Sequence, residues 1–204
     1  MIASGSLAMP RRHAPRPAPP APPVSNTRLA MIILLAGESM LFVGLIGTYL
    51  VFRLAAPVWP PPHLPRLPLT ITVLNTLILL GSTLPITRAL HAVQRDQPAA
   101  AAAGITWTAG LGVAFLVVQG AEWIRLVAHG LTLGGSLYGA TFYLLIGCHG
   151  VHVLGAVVWL AVTAVLARRG VFTAARHAAL EMCAIYWYFV CALWLVLFPL
   201  VYLY

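Results

Sequence analysis

The chain has no lysine and only four acidic residues, Glu38, Asp96, Glu122 and Glu181, so its formal charge of +8 rests wholly on arginine. Charged residues make up 8% of it and hydrophobic ones 61%, whereas an ordinary soluble domain is roughly one quarter charged. That poverty of charge excludes a water-soluble globule and predicts a polytopic membrane protein. The arginines sit at loop ends without forming a basic stripe, which argues against a nucleic-acid partner. Cys148, Cys183 and Cys191 all fall in apolar runs and form no C-x-x-C pair, so neither a disulfide framework nor a zinc site is expected. The first residues, rich in proline, alanine and arginine, lack an apolar core followed by a cleavage site. Residues 1–27 are expected to be a disordered cytoplasmic tail, and residues 28–204 an all-α domain of five transmembrane helices.

Five runs reach the roughly 20 apolar residues needed to cross a hydrocarbon core of about 30 Å. They are Arg28–Phe52, Leu69–Leu90, Ala103–Val127, Leu137–Leu166 and Ala179–Leu203. Prolines 57, 60, 61, 62, 65 and 68 break the chain after the first. Arg95–Pro98, a glycine group at 130, 134 and 135, and Arg168-Arg169-Gly170 supply the other breaks. With alternating sides, Arg11, Arg12, Arg16, Arg28, Arg88, Arg95, Arg168, Arg169 and Arg176 share one face of the membrane; Arg53, Arg66 and Arg125 lie on the other. The arginine-rich face is the cytoplasmic one, so the N-terminus is expected in the cytoplasm and the C-terminus outside. Trp59, Trp123, Tyr138, Tyr202 and Tyr204 then fall near the outer interface.

Three of the four acids lie within apolar runs, where an ionisable group costs several kcal/mol unless it is paired, protonated or beside a cavity. Glu38 follows Arg28 by ten residues, placing it about 15 Å into the first helix, near mid-membrane. A buried, protein-facing carboxyl is expected there, either tying helices together or relaying a proton. His149 and His152 occupy the middle of the fourth run at a spacing that predicts a shared helix face. No second half-site for metal or haem is evident, so hydrogen bonds between helices are expected instead, including a pairing of Glu38 with His149 or His152. Glu122 precedes Arg125 by three residues, a local ion pair near a helix end. Glu181 opens the last run, where a carboxylate complements the helix N-terminus. Trp187, Tyr188 and Trp194 belong to an aromatic stripe suited to packing or a subunit contact, and glycines 37, 44, 47, 147, 150 and 155 to close helix approach.

Several segments, in order, resemble one family. They are Gly37-Glu38-Ser39-Met40-Leu41-Phe42, Trp59-Pro60-Pro61, Leu69 to Asn75-Thr76, and Gln119-Gly120-Ala121-Glu122-Trp123. Tyr138-Gly139-Ala140-Thr141-Phe142 with His149-Gly150-Val151-His152-Val153, and Glu181 with Tyr186-Trp187 and Trp194, complete the series. Together they resemble subunit III of the haem–copper oxidases. The resemblance implies a non-redox accessory subunit of a proton-pumping respiratory oxidase in the bacterial inner membrane. Its partners would be subunit I, as the main contact, and subunit II, together with membrane phospholipid; haem and copper would be held by partner subunits and no cofactor by this chain. The family's seven-helix form has two further helices in front of the equivalent of the first one here. Where the family reads Tyr-Trp-His-Phe-Val-Asp, this sequence has Tyr188 for histidine and Cys191 for aspartate. Two competing readings are an accessory subunit of a nitric oxide reductase and a free-standing transporter or proton channel built on Glu38 and the two histidines.

Overall fold

The computed structural model describes residues 25–62, 64–65 and 67–203, so most of the predicted tail and the Tyr204 side chain lie outside the described residues. Among them there is no strand, only six helices and a terminal π-turn. Helix α1 spans Asn26–Ala55, α2 Leu69–Gly81, α3 Thr83–Gln94, α4 Pro98–Ala128, α5 Leu137–Arg168 and α6 Ala178–Phe198, followed by the π-turn Pro199–Leu203. Joined as α2–α3 and as α6 with its π-turn, they give five segments long and apolar enough to cross a membrane. Ser25 accepts from Arg28 N to cap α1, which therefore starts two residues before the domain boundary expected from sequence. Gly130 and Gly170, at φ +91° and +70°, end α4 and α5 in a backbone region that β-carbons disfavour.

The second span expected over Leu69–Leu90 is present as one membrane-crossing segment, Leu69–Gln94, whose helix is interrupted at the single residue Ser82, between α2 and α3. Pro85, three residues on, has no N–H to offer the Gly81 carbonyl, and its ring crowds that turn. The bend is used. Ser82 is fully buried; its hydroxyl accepts the indole N–H of Trp187 at 2.9 Å, and its carbonyl accepts the hydroxyl of Thr108 at 3.4 Å. Six residues earlier, Thr76 Oγ1 accepts the Trp194 indole N–H at 2.8 Å.

Helix α4 packs against α2, α3 and α5, and α6 against α3 and α5; α1 lies on the outside against α5 and α6. Of the most apolar stretch of α1 only 11% is buried, compared with 33–39% in the other four spans. The glycines divide accordingly: of the six expected at close helix approaches, Gly147 and Gly150 lie against Trp123 of α4, and the other four do not meet a neighbour. A β-carbon on Gly37, Gly44, Gly47 or Gly155 would meet nothing, so these glycines pack against no other helix of the chain. The close approaches are instead at Gly104, whose added Cβ would lie 2.6 Å from the Pro85 carbonyl oxygen, and at Gly112, 2.7 Å from Trp187 and Val157.

Because backbone cannot retreat as a flexible side chain can, Gly104→Val should destabilise the chain in detergent by about 1–3 kcal/mol. Gly110→Ala, in open space, should be neutral or gain up to about 1 kcal/mol from helix propensity. Thermal unfolding followed by circular dichroism distinguishes the two.

Candidate functional site

Mid-depth in the bundle, α1 carries Glu38 to α5, where Glu38 Oε2 lies 2.6 Å from His152 Nε2. The two side chains are 19% and 15% exposed, so the pair sits at a seam and is not sealed in the core. The other ring nitrogen of His152, Nδ1, lies 2.7 Å from the carbonyl oxygen of Cys148, one turn back on the same helix. A carbonyl only accepts, so Nδ1 carries a hydrogen. Nε2 and Oε2 would then face each other with two lone pairs at 2.6 Å unless one proton lies between them. A proton on either atom would relieve that repulsion, so the contact is one at which a proton can be shared. The approach is close but out of line, leaving Oε2 without a donor in hydrogen-bond geometry. Phe42 presses edge-on against the His152 ring, with centroids 5.1 Å apart.

His149 goes elsewhere. Three residues turn the helix by roughly 300°, so the two imidazoles diverge by about 60° about the α5 axis. His152 meets α1, whereas His149 enters the core at 1% exposure. There it stacks on Trp194 at 5.1 Å and 25°, with the rings of Phe115 and Phe42 edge-on at 6.5 Å. Both of its nitrogens lack a polar partner. The inter-helix hydrogen bond expected of it is not formed; its nearest ring neighbours, Trp194, Phe115 and Phe42, are a packed aromatic surround. Among the described residues no group of three or more His, Cys, Asp or Glu side chains is placed to hold a metal ion.

The other two glutamates pair with arginines. Glu122, 5% exposed, accepts from Arg125 at 2.9 Å on the same helix. Glu181 lies in the first turn of α6, and it also accepts from Arg28 at 2.6 Å. Its helix-end role was visible in the sequence, but its partner 153 residues away was not. A third tie holds the far end of α1, where Tyr49 and Arg53 both donate to the Leu200 carbonyl in the π-turn, at 3.4 and 3.2 Å. Trp187 and Trp194 are fully buried inside the bundle, and Tyr188 shares a 2.6 Å hydroxyl contact with Thr87. Sequence reasoning missed Asn75, buried and donating to the Phe115 carbonyl, and Gln119, buried and donating to Tyr202. An amide inside an apolar run was the available signal for both.

The sequence pattern of cytochrome c oxidase subunit III matches residues 22–204. The chain belongs to that family. Its relatives include the cytochrome c oxidase subunit 3 of Synechocystis sp., 34% identical over 85% of this chain and 73% of the relative. The subunit 3 of Thermostichus vulcanus is 33% identical over 86% of each chain, and that of Marchantia polymorpha 34% identical over 86% of this chain and 67% of its own. The chain is thus a membrane-embedded oxidase subunit III, and the matched region contains the Glu38–His152 pair and all three ties of α1.

Polar contacts between membrane helices average about 0.6 kcal/mol and reach about 1.7 kcal/mol. A double-mutant cycle of Glu38→Gln and His152→Leu, read by unfolding in detergent, should give a coupling of about 1 kcal/mol; for Glu38 with His149→Leu the coupling should be near zero.

Proposed function

We propose that this chain is a non-redox accessory subunit of a proton-pumping oxidase in a bacterial inner membrane. It packs on subunit I beside subunit II, supports assembly of the complex, binds membrane lipid, and helps supply protons for oxygen reduction. The observation that carries the last part is the 2.6 Å contact between Glu38 Oε2 and His152 Nε2 at the partly exposed edge of α1. A carboxyl buried in apolar surroundings for structural reasons alone would be best served by an aligned donor. Here the donor is close, misaligned and partly exposed at the edge of α1, an arrangement that retains a proton yet leaves it exchangeable. The reading assigns Glu38 the proton-carrying role, with His152 as the group that positions its carboxyl through Nδ1 anchored on Cys148.

Glu38→Gln keeps the side-chain shape and removes the exchangeable acid proton. In the intact complex it should leave the haem-to-chain ratio unchanged. Turnover should fall by about fivefold at alkaline pH, equivalent to about 1 kcal/mol on the barrier, and far less at acidic pH, where protons are abundant. A pH profile superimposable on the wild type would leave Glu38 as a helix tie and remove its part in proton supply.

A further inference from the structure

In the middle of the bundle two buried side chains carry polar atoms that no protein group answers. Helices α4 and α6 stand between α2 and α5, each packing against both. From one side α5 brings His149, and from the other α2 brings Asn75, each 1% exposed. The two converge on the same pair of residues. Asn75 Nδ2 donates to the Phe115 carbonyl at 3.1 Å, and Thr76, next to it on α2, accepts the Trp194 indole N–H. The rings of Phe115 and Trp194 in turn flank the His149 imidazole, at 6.5 and 5.1 Å. Asn75 Oδ1 and both His149 nitrogens have no hydrogen-bond partner among the described residues.

These atoms suit a small molecule that both donates and accepts. The Phe115 carbonyl only accepts, so the amide nitrogen of Asn75 must face it, and Oδ1 is left needing a donor. A neutral imidazole offers one donor nitrogen and one acceptor nitrogen. Left dry, each such group costs about 1–3 kcal/mol, whereas burying an ion beside neutral groups costs far more. The rings around His149 come from α1, α4 and α6, as Phe42, Phe115 and Trp194. Helix α2 has no aromatic residue to add, and brings instead a buried polar face of Thr72, Asn75 and Thr76. Thr76 Oγ1 keeps one lone pair after bonding the Thr72 carbonyl and Trp194. Buried water makes about three hydrogen bonds to groups of this kind. Packing alone explains the Asn75 bond to α4 and the imidazole face on Trp194, but not Oδ1 or the two nitrogens.

We infer that the centre of the bundle binds an ordered water molecule between Asn75 and His149, donating to Asn75 Oδ1 and bonded to one imidazole nitrogen. The water joins α2 to α5 across the gap that α4 and α6 keep between them. It anchors in the core the same turn of α5 that meets α1 through His152. The site is independent of the proton-supply role of Glu38.

The test is radiolytic footprinting of the intact complex in mild detergent, in which hydroxyl radicals formed from a bound water oxidise the side chains beside it. Trp187 and Trp194 make a matched pair, since both are fully buried and both donate to a hydroxyl. Only Trp194 stacks on His149. Trp194 should be oxidised and Trp187 protected. Asn75→Leu, which removes the water's acceptor at similar volume, should abolish oxidation of Trp194 and leave Trp187 as it was. His149→Phe, which keeps a ring among rings, should do the same, and it carries the test if Asn75→Leu does not assemble. Equal oxidation of the two tryptophans in the wild type would overturn the assignment. So would oxidation of Trp194 that survives both substitutions, which would mark a water elsewhere along the indole. A cryo-EM map that resolves ordered water should show a peak within hydrogen-bond distance of Asn75 Oδ1 and a His149 nitrogen; such a map without the peak would overturn it likewise. Oxidation is read without turnover and Glu38→Gln should leave it unchanged, so failure of this site and failure of the proton-supply reading are distinguishable.

Discussion

The contact between Glu38 and His152 fixes the helix that the rest of the bundle holds least. In lipid, apolar side chains gain little by turning inward, so helix association depends on close packing and on polar contacts across helices. Helix α1 has little of the first. Its glycines face open space and most of its apolar surface points outward. What locates it is a series of polar ties at three depths: Arg28 to Glu181 at one end, Glu38 to His152 in the middle, and Tyr49 with Arg53 to the Leu200 carbonyl at the other. Two ends alone would fix the position of a rod and leave its rotation loose. The middle contact sets which face of α1 meets α5, and so which face is left toward lipid or another subunit.

The interior solves the opposite problem, that of large aromatic side chains carrying polar atoms. An indole N–H without an acceptor in a water-free core costs about 1–3 kcal/mol. Trp187 and Trp194 avoid that cost by donating to Ser82 and Thr76, hydroxyls that also bond carbonyls of their own segment. The bend at Ser82 is part of this arrangement, since it places a hydroxyl and a carbonyl where α6 and α4 can both reach them. The aromatic stripe of the last span is thus an internal surface, and the hydroxyls of the second span are what make it soluble in the core.

The five spans were legible because length and apolar content decide them, and neither depends on tertiary context. Glu38 was legible because a carboxylate amid Ile32–Leu35 and Leu41–Ile46 conflicts with its surroundings at any packing. Other features depend on direction, which a single sequence does not contain. The spacing of His149 and His152 could not say that 60° of rotation sends one to α1 and the other among aromatic rings. Glycine content could not say that Gly37, Gly44 and Gly47 face outward while Gly104 and Gly112 receive neighbours. Arg28 with Glu181 was hidden for another reason: each already had an adequate local explanation, as a loop-end charge and a helix-end carboxylate. Pro85 was readable as a break in the second span, but the apolar run around it masked the signal.

Polar satisfaction also argues for where the chemistry lies. The bundle pairs most of its buried polar atoms, yet three of the six that lack partners among the described side chains lie where α1 meets α5 at mid-depth: Glu38 Oε2 on α1 and both nitrogens of His149 on α5. Nothing in the packing of α1, α4 or α6 requires histidine at 149, since its neighbours Trp194, Phe115 and Phe42 would accept an apolar ring as readily. A fold shaped only for stability would replace it. Local violations of this kind concentrate where function constrains sequence, and this one stands beside the contact between Glu38 and His152. The unpartnered nitrogens of His149 and the His152 contact with Glu38 share one turn of α5, so that turn carries both the tie to α1 and the polar atoms that the aromatic core leaves unmatched.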